Sequence, residues 1–125
     1  MYNDTPTMDV TKMNNKERAL WQMLDNAIKC CAVLVDEDGE LSITRADILG
    51  KSRAENLVMT RCIAASQMHR AGYSTTTIAR LMCRTVPAIR HLLAADLNYT
   101  ETSRAYRIAA AETTLMNKGL EPCGL

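Results

Sequence analysis

The chain has 125 residues, 47% of them apolar, with eight Met, four Tyr, one Trp, no Phe and a formal net charge of +1. That length supports one modest core, and abundant Ala, Leu and Met with Pro only at 6, 87 and 122 predict an all-α fold. No run approaches the ~20 apolar residues of a membrane span, and the polar start M-Y-N-D-T-P-T lacks the apolar stretch of a signal peptide.

Residues 1–13 read as a polar, flexible lead, 14–118 as a single helical domain and 119–125 as a flexible tail. A first helix is predicted from Asn14 to about Leu34. Its stripe is Leu20, Trp21, Leu24, Ala27, Ile28 and Cys31, with Trp21 as a core anchor. The run Asp36-Glu37-Asp38-Gly39-Glu40 is an acidic loop without the ligand spacing of a calcium loop. A short helix fits Arg45 to Leu49, where Thr44 and Asp47 make a capping box and Gly50 ends the turn.

A long helix is predicted from Ser52, with Glu55 completing a second S-x-x-E box, to about Ala71 before Gly72. Leu57, Cys62, Ala64, Ala65 and Met68 form its buried face, and Arg61 falls on its polar side. Next comes S-T-T-T-I-A-R-L-M-C-R-T-V-P-A-I-R-H-L, residues 74–92, which reads as a helix-turn-helix. Ile78, Ala79 and Met82 recur at helical spacing, as do Ile89 and Leu92. The break Cys83-Arg84-Thr85 separates the two sets, and Ser74 and Thr85 are N-caps. The second helix is predicted from Val86 to Leu93, flanked by Arg84 and Arg90, whose charges suit phosphates. A last helix is expected from Glu101 to Asn117, capped by Thr100, with Tyr106, Ile108, Ala109 and Leu115 packing back. The predicted architecture is a compact bundle of about six helices.

Charge divides along the chain. Residues 1–50 carry nine acids against five bases. Residues 51–92 carry Lys51, Arg53, Arg61, Arg70, Arg80, Arg84 and Arg90 against the lone Glu55. Residues 93–125 carry four acids against three bases. The basic block coincides with the helix-turn-helix and the segment feeding it, which points to a phosphate-facing surface.

Five cysteines, an odd number without a C-x-x-C pair, suggest neither a disulfide framework nor a zinc site. Cys30, Cys31 and Cys62 read as free, reduced core residues. His69 and His91 are the only histidines, and neither has a carboxylate or thiol at a helical neighbour position. No catalytic residue, metal or cofactor is expected, and no G-x-x-x-x-G-K-[ST] loop occurs.

Taken in this order, the phrases I-T-R-A-D-I-L-G-K-S-R (43–53), L-V-M-T-R-C-I-A (57–64), S-T-T-T-I-A-R-L-M (74–82), Arg84 and A-I-R-H (88–91) resemble domain IV of the bacterial replication initiator DnaA. That family belongs to the Trp-repressor-like helical group and binds duplex DNA. The resemblance covers about residues 17–117. It implies a minor-groove role for Arg53 and phosphate contacts for Lys51 and Arg61. It places Ser74, Thr75, Thr76 and Thr77 against the DNA backbone, and Arg84 at the family's turn arginine.

The family's turn and recognition helix read glycine-glycine-arginine-aspartate-histidine-threonine-threonine-valine. Here Cys83 stands for a glycine, the stretch is one residue shorter, and Thr85, Val86, Pro87 and Ala88 replace the base-reading side chains. Val86, Pro87 and Ala88 offer base edges only apolar contact, such as with thymine methyls. The family's origin sequence is therefore not carried over, nor is its motor domain.

The expected DNA-binding residues are Lys51, Arg53, Arg61, Ser74, Thr75, Thr76, Thr77, Arg80, Arg84, Thr85, Val86, Pro87, Ala88, Arg90 and His91. The expected function is that of a stand-alone binder of double-stranded DNA, cytoplasmic and nucleoid-associated. It would act as a regulator or as an accessory of replication or of a mobile element, with other replication or mobile-element proteins as further partners and a monomer favoured over an oligomer that the sequence leaves open. The alternative is an adaptor that turns the same helical surface toward another protein.

Overall fold

A computed structural model describes residues 15–31 and 43–120. The predicted lead, the acidic loop, the first helix beyond Cys31 and the tail from residue 121 lie outside the described residues. Among the described residues there are six α-helices and no strand: α1 (Asn15–Cys31), α2 (Arg45–Leu49), α3 (Glu55–Arg70), α4 (Thr75–Met82), α5 (Val86–Thr102) and α6 (Arg104–Met116). The all-α bundle expected from composition is what forms. None of these helices is long and apolar enough to cross a membrane.

The bundle is built around α3, which packs against each of the other five helices. Every residue from Thr60 to Met68 is buried, so this helix has no solvent face over more than two turns. Its small residues Cys62, Ala64 and Ala65 let neighbours approach from several directions. Arg61 is therefore not on a polar side, and that prediction is corrected: its side chain is 3% exposed.

The core anchor is also different from the one expected. Tyr106 is fully buried, its ring stacks on Tyr99 at 5.2 Å between centroids, and its hydroxyl donates to the buried Asp96 carboxylate. Trp21 instead lies half-buried at the edge of the core. The Arg45 guanidinium sits over the indole at 4.7 Å and is held there by a two-bond ion pair with Asp25. The α1 stripe is rotated accordingly, with Met23 and Cys30 buried and Trp21 and Ile28 at its margin.

A chain of side-chain amides fixes how α1, α3 and α6 meet. Gln22 Nε2 donates to Asn26 Oδ1 at 2.8 Å, and Asn26 Nδ2 donates to Asn117 Oδ1 at 2.8 Å. Asn117 Nδ2 donates to Gln67 Oε1 at 3.3 Å, and Gln67 Nε2 donates to Thr114 Oγ1 at 2.8 Å. Because unpaired amides are costly in a low-dielectric interior, the relay holds the three helices in one register.

Several boundaries follow or break the local signals. Thr44 and Asp47 make the predicted capping box, with Asp47 N–H donating to Thr44 Oγ1 and Thr44 N–H to Asp47 Oδ2. The second box does not form. The chain remains extended through Ala54, α3 starts at Glu55 without a side-chain cap, and Ser52 Oγ accepts only from Ala54 N–H. Gly72, with φ of 97°, ends α3 as expected.

The largest change is in α5, predicted to stop near Leu93 and found unbroken to Thr102. No Gly or Pro interrupts residues 88–102, and the Thr100 and Thr102 hydroxyls bond back to the Asp96 and Asn98 carbonyls instead of capping a new helix. Ser103 is the cap of α6, its Oγ accepting from Tyr106 N–H. Exposed Ile108 and Leu115 do not join the core as predicted, whereas Tyr106 and Ala109 do. Leu120, counted with the tail from sequence, packs partly on the core.

Candidate nucleic-acid interface

The loop from Gly50 to Ala54 leads from α2 to α3 and carries Lys51 and Arg53. The end of α2 leaves carbonyls without helical partners, and Arg61 supplies donors to them. Its Nε donates to Ile48 O at 2.8 Å and its Nη1 to Ser52 O at 2.6 Å. Its Nη2 donates to Asp47 O at 2.9 Å and to Gly50 O at 3.1 Å. Arg84, from the turn between α4 and α5, reaches the same Gly50 carbonyl through Nη2 at 2.6 Å and donates to Met82 O through Nη1 at 3.0 Å.

Burial lowers the pKa of both guanidinium groups, and for Arg61 repulsion from Arg84 adds to it. Two cations thus converge on one carbonyl and tie the loop to the α4–α5 turn. Gly50 is suited to this place by space, not by backbone sign: a Cβ there would lie 3.0 Å from Ala46 O.

The turn itself is closed by the backbone. Cys83 adopts a left-handed conformation with φ of 56°, and Arg84 N–H reaches back to Ala79 O at 2.9 Å. The reading of Cys83 as a residue in a glycine's place agrees with this geometry. Thr85 then caps α5, its Oγ1 accepting from Ala88 N–H, and Pro87 sits in the first turn, where a missing N–H costs nothing. Ser74 caps α4 through Thr77 N–H at 3.1 Å.

This arrangement brings Lys51, Arg53, Arg61, Arg84, Thr85 and Ala88 around one concavity of about 480 Å³. Lys51, Arg53 and Thr85 are exposed and Arg84 and Ala88 half-buried. The remaining predicted residues lie outside the concavity. On α4, Ser74, Thr76 and Arg80 are exposed and Thr75 and Thr77 half-buried. On α5, Pro87, Arg90 and His91 are exposed at i, i+3 and i+4, hence on one face.

Two assignments are corrected. Arg61 cannot reach a phosphate from where it is, because its guanidinium is enclosed and bonded to four carbonyls. Val86 is half-buried and packs against the core instead of standing free on the α5 face. What sequence reasoning missed was the Gly50 carbonyl as a meeting point. The available signal was the position of Arg61 inside a run of small and apolar residues, where a charge must find partners.

Among the described residues the ion pair present is Arg45 with Asp25. Lys51, Arg53, Arg80 and Arg90 are exposed cations without a carboxylate partner among the described residues. The described residues hold no group of three or more His, Cys, Asp and Glu placed to bind a metal. No family model matches the chain, and comparison with curated proteins and with solved structures gives no match.

Proposed function

We propose that this chain binds double-stranded DNA through a helix-turn-helix made of α4 and α5 with the Gly50–Ala54 loop, as a regulator or an accessory of replication or of a mobile element. The observation that supports the reading is the loop anchorage. Arg61 and Arg84 occupy the loop carbonyls, and Lys51 and Arg53 stand exposed beside Thr85 at the start of α5. Arg80 on α4 and Arg90 on α5 add exposed charge on the flanking helices. A surface of preplaced, unpaired cations next to a helix N-terminus suits a phosphate backbone. This reading follows the sequence phrases that resemble DnaA domain IV, without that family's base-reading side chains.

The test is fluorescence anisotropy of labelled duplex at a series of salt concentrations. Four cations brought to the duplex, Lys51, Arg80 and Arg90 on phosphates and Arg53 in the minor groove, give log K against log salt a slope of about −3 to −4. Absence of any anisotropy change with duplexes of varied sequence at low salt would remove the reading. The adaptor reading of the same surface then takes its place, with half-buried Val86 and Ala88 and exposed Pro87 giving the start of α5 an apolar character.

A further inference from the structure

A second concavity lies where α3, α5 and α6 meet, one to two turns along α3 and α5 from the interface just described. Its volume is about 160 Å³. Three helices each contribute one face to it, Ser66 and Arg70 from α3, Asp96 and Thr100 from α5, Arg107 and Ala110 from α6. The room exists because Ser66 and Ala110 are small where larger residues would have closed the gap.

Its chemistry is not that of a leftover packing gap. Ser66 lines it with a hydroxyl that makes no hydrogen bond to the described residues, and since none of their buried polar side-chain atoms is left unpartnered, this hydroxyl is open to the solvent of the cavity. A hydroxyl open to the cavity is free to donate to a group that enters it. Arg107 is held in position by Nη1, which donates to Thr100 O at 2.7 Å at the carboxyl end of α5. The rest of its guanidinium fork is unused. Arg70, four residues after Ser66 on α3, is exposed and has no ion-pair partner among the described residues. The one carboxylate in the lining, Asp96, already accepts from Tyr106. Two guanidinium groups against one engaged carboxylate leave the cavity net positive.

We propose that this cavity is a binding site for a free small oxyanion, of the phosphate or short-carboxylate class, held between Arg70 and Arg107 with the Ser66 hydroxyl as third donor. Its size sets the class. Sites for drug-sized ligands run upward of roughly 300 Å³, so a nucleotide is too large and a phosphate-sized group fits. An arginine pinned by a carbonyl loses little freedom when it takes an anion, which preorganises the Arg107 side of the site.

Titration with inorganic phosphate at constant ionic strength, followed by amide chemical shifts, tests this directly. Saturating shifts are expected in residues 63–70, 96–100 and 107–114. Arg70→Ala is expected to weaken binding about tenfold, as for the loss of one charge-assisted bond. Arg107→Lys keeps the charge but loses the fork and is expected to fall between, and Ser66→Ala is a variant that leaves both cations in place. Shifts that rise without saturation, or affinity unchanged in both Arg70→Ala and Ser66→Ala, would overturn the proposal. A final arm adds saturating duplex. Retention of phosphate supports a separate site for a free anion, whereas displacement assigns the cavity to the DNA backbone and overturns it.

Discussion

The Arg61 guanidinium is surrounded by the carbonyls of Asp47, Ile48, Gly50 and Ser52, and this decides what its replacement does. Arg61→Gln leaves several buried acceptors unpaired, at about 1–3 kcal/mol for each group left unsatisfied. The expected outcome is a marked fall in melting temperature, with weaker duplex binding and an unchanged salt slope. A phosphate contact would behave in the opposite way, lowering the slope by about 0.9 with no loss of stability. Thermal melts and salt titrations of the one variant separate these roles.

The buried thiols give a second prediction at this scale. Burial raises Cys31 from an ordinary 9.0 to about 12; a hydrogen bond with Thr60 pulls the other way and Cys30 adds a little. Burial and the Asp96 charge raise Cys62 likewise to about 12, against the pull of Arg61. A folded pKa raised above the unfolded one means the unfolded chain loses its proton first. The stabilisation is complete below about pH 9 and lost as pH rises toward 12. Each thiol contributes a slope of about 1.4 kcal/mol per pH unit in that window. Urea unfolding is therefore expected to be level between pH 7 and 8 and lower by about 2–3 kcal/mol at pH 10, with about half that loss in Cys62→Ala. A level profile to pH 10 would mean that the thiols reach solvent.

Among the elements, the α4–α5 turn carries the clearest local cost. Cys83 holds a left-handed backbone that costs a residue with a Cβ about 1–2 kcal/mol, part of which glycine gives back as unfolded-state entropy. Cys83→Gly is expected to stabilise the protein by about 0.5–1 kcal/mol and leave duplex affinity unchanged, measured by denaturant unfolding and anisotropy. An unchanged or lowered stability would show that the Cys83 side chain makes a contact worth more than the strain. The helix ends teach the same lesson about signals. Thr44, Ser74, Thr85 and Gly72 were legible because caps and C-terminal glycines act through their own few residues. Ser52, Thr100 and the end of α5 were not, because each hydroxyl or carbonyl there had a second available partner. Local spacing cannot rank the partners: Arg61 takes the Ser52 carbonyl, and the carbonyl of Asp96 takes the Thr100 hydroxyl.

For the whole molecule, the proposed duplex binding carries an expectation of how affinity depends on sequence, given the arrangement of exposed cations. Pro87, Arg90 and His91 share the outer face of α5, and Pro87 and Ala88 cannot make the paired hydrogen bonds that tell base pairs apart. Preference then leans on Arg53, since an arginine in a minor groove reads A·T against G·C and groove width. Selection from a random duplex library is expected to return sites sharing an A·T-rich step more than a fixed word, and Arg53→Ala is expected to flatten that preference. Arg80→Ala, by contrast, should weaken all duplexes about equally. A sharp G·C-containing word that survives Arg53→Ala would shift base reading to Thr85 or Arg90.

The sequence by itself determined the helical class, the order of six helices, the caps at Thr44, Ser74 and Thr85 and the basic block from 51 to 92. These depend on composition, period and interactions within a few residues, all of which the linear chain carries. Tertiary structure alone decided that Tyr106 and not Trp21 anchors the core, that α5 runs on to Thr102, and that Arg61 and Arg84 turn inward onto Gly50. The physical reason is common to all three. A side chain's surroundings are set by helices distant in sequence, and from Thr60 to Met68 α3, packed by all five others, has no outer face from which periodicity could tell a buried arginine from an exposed one.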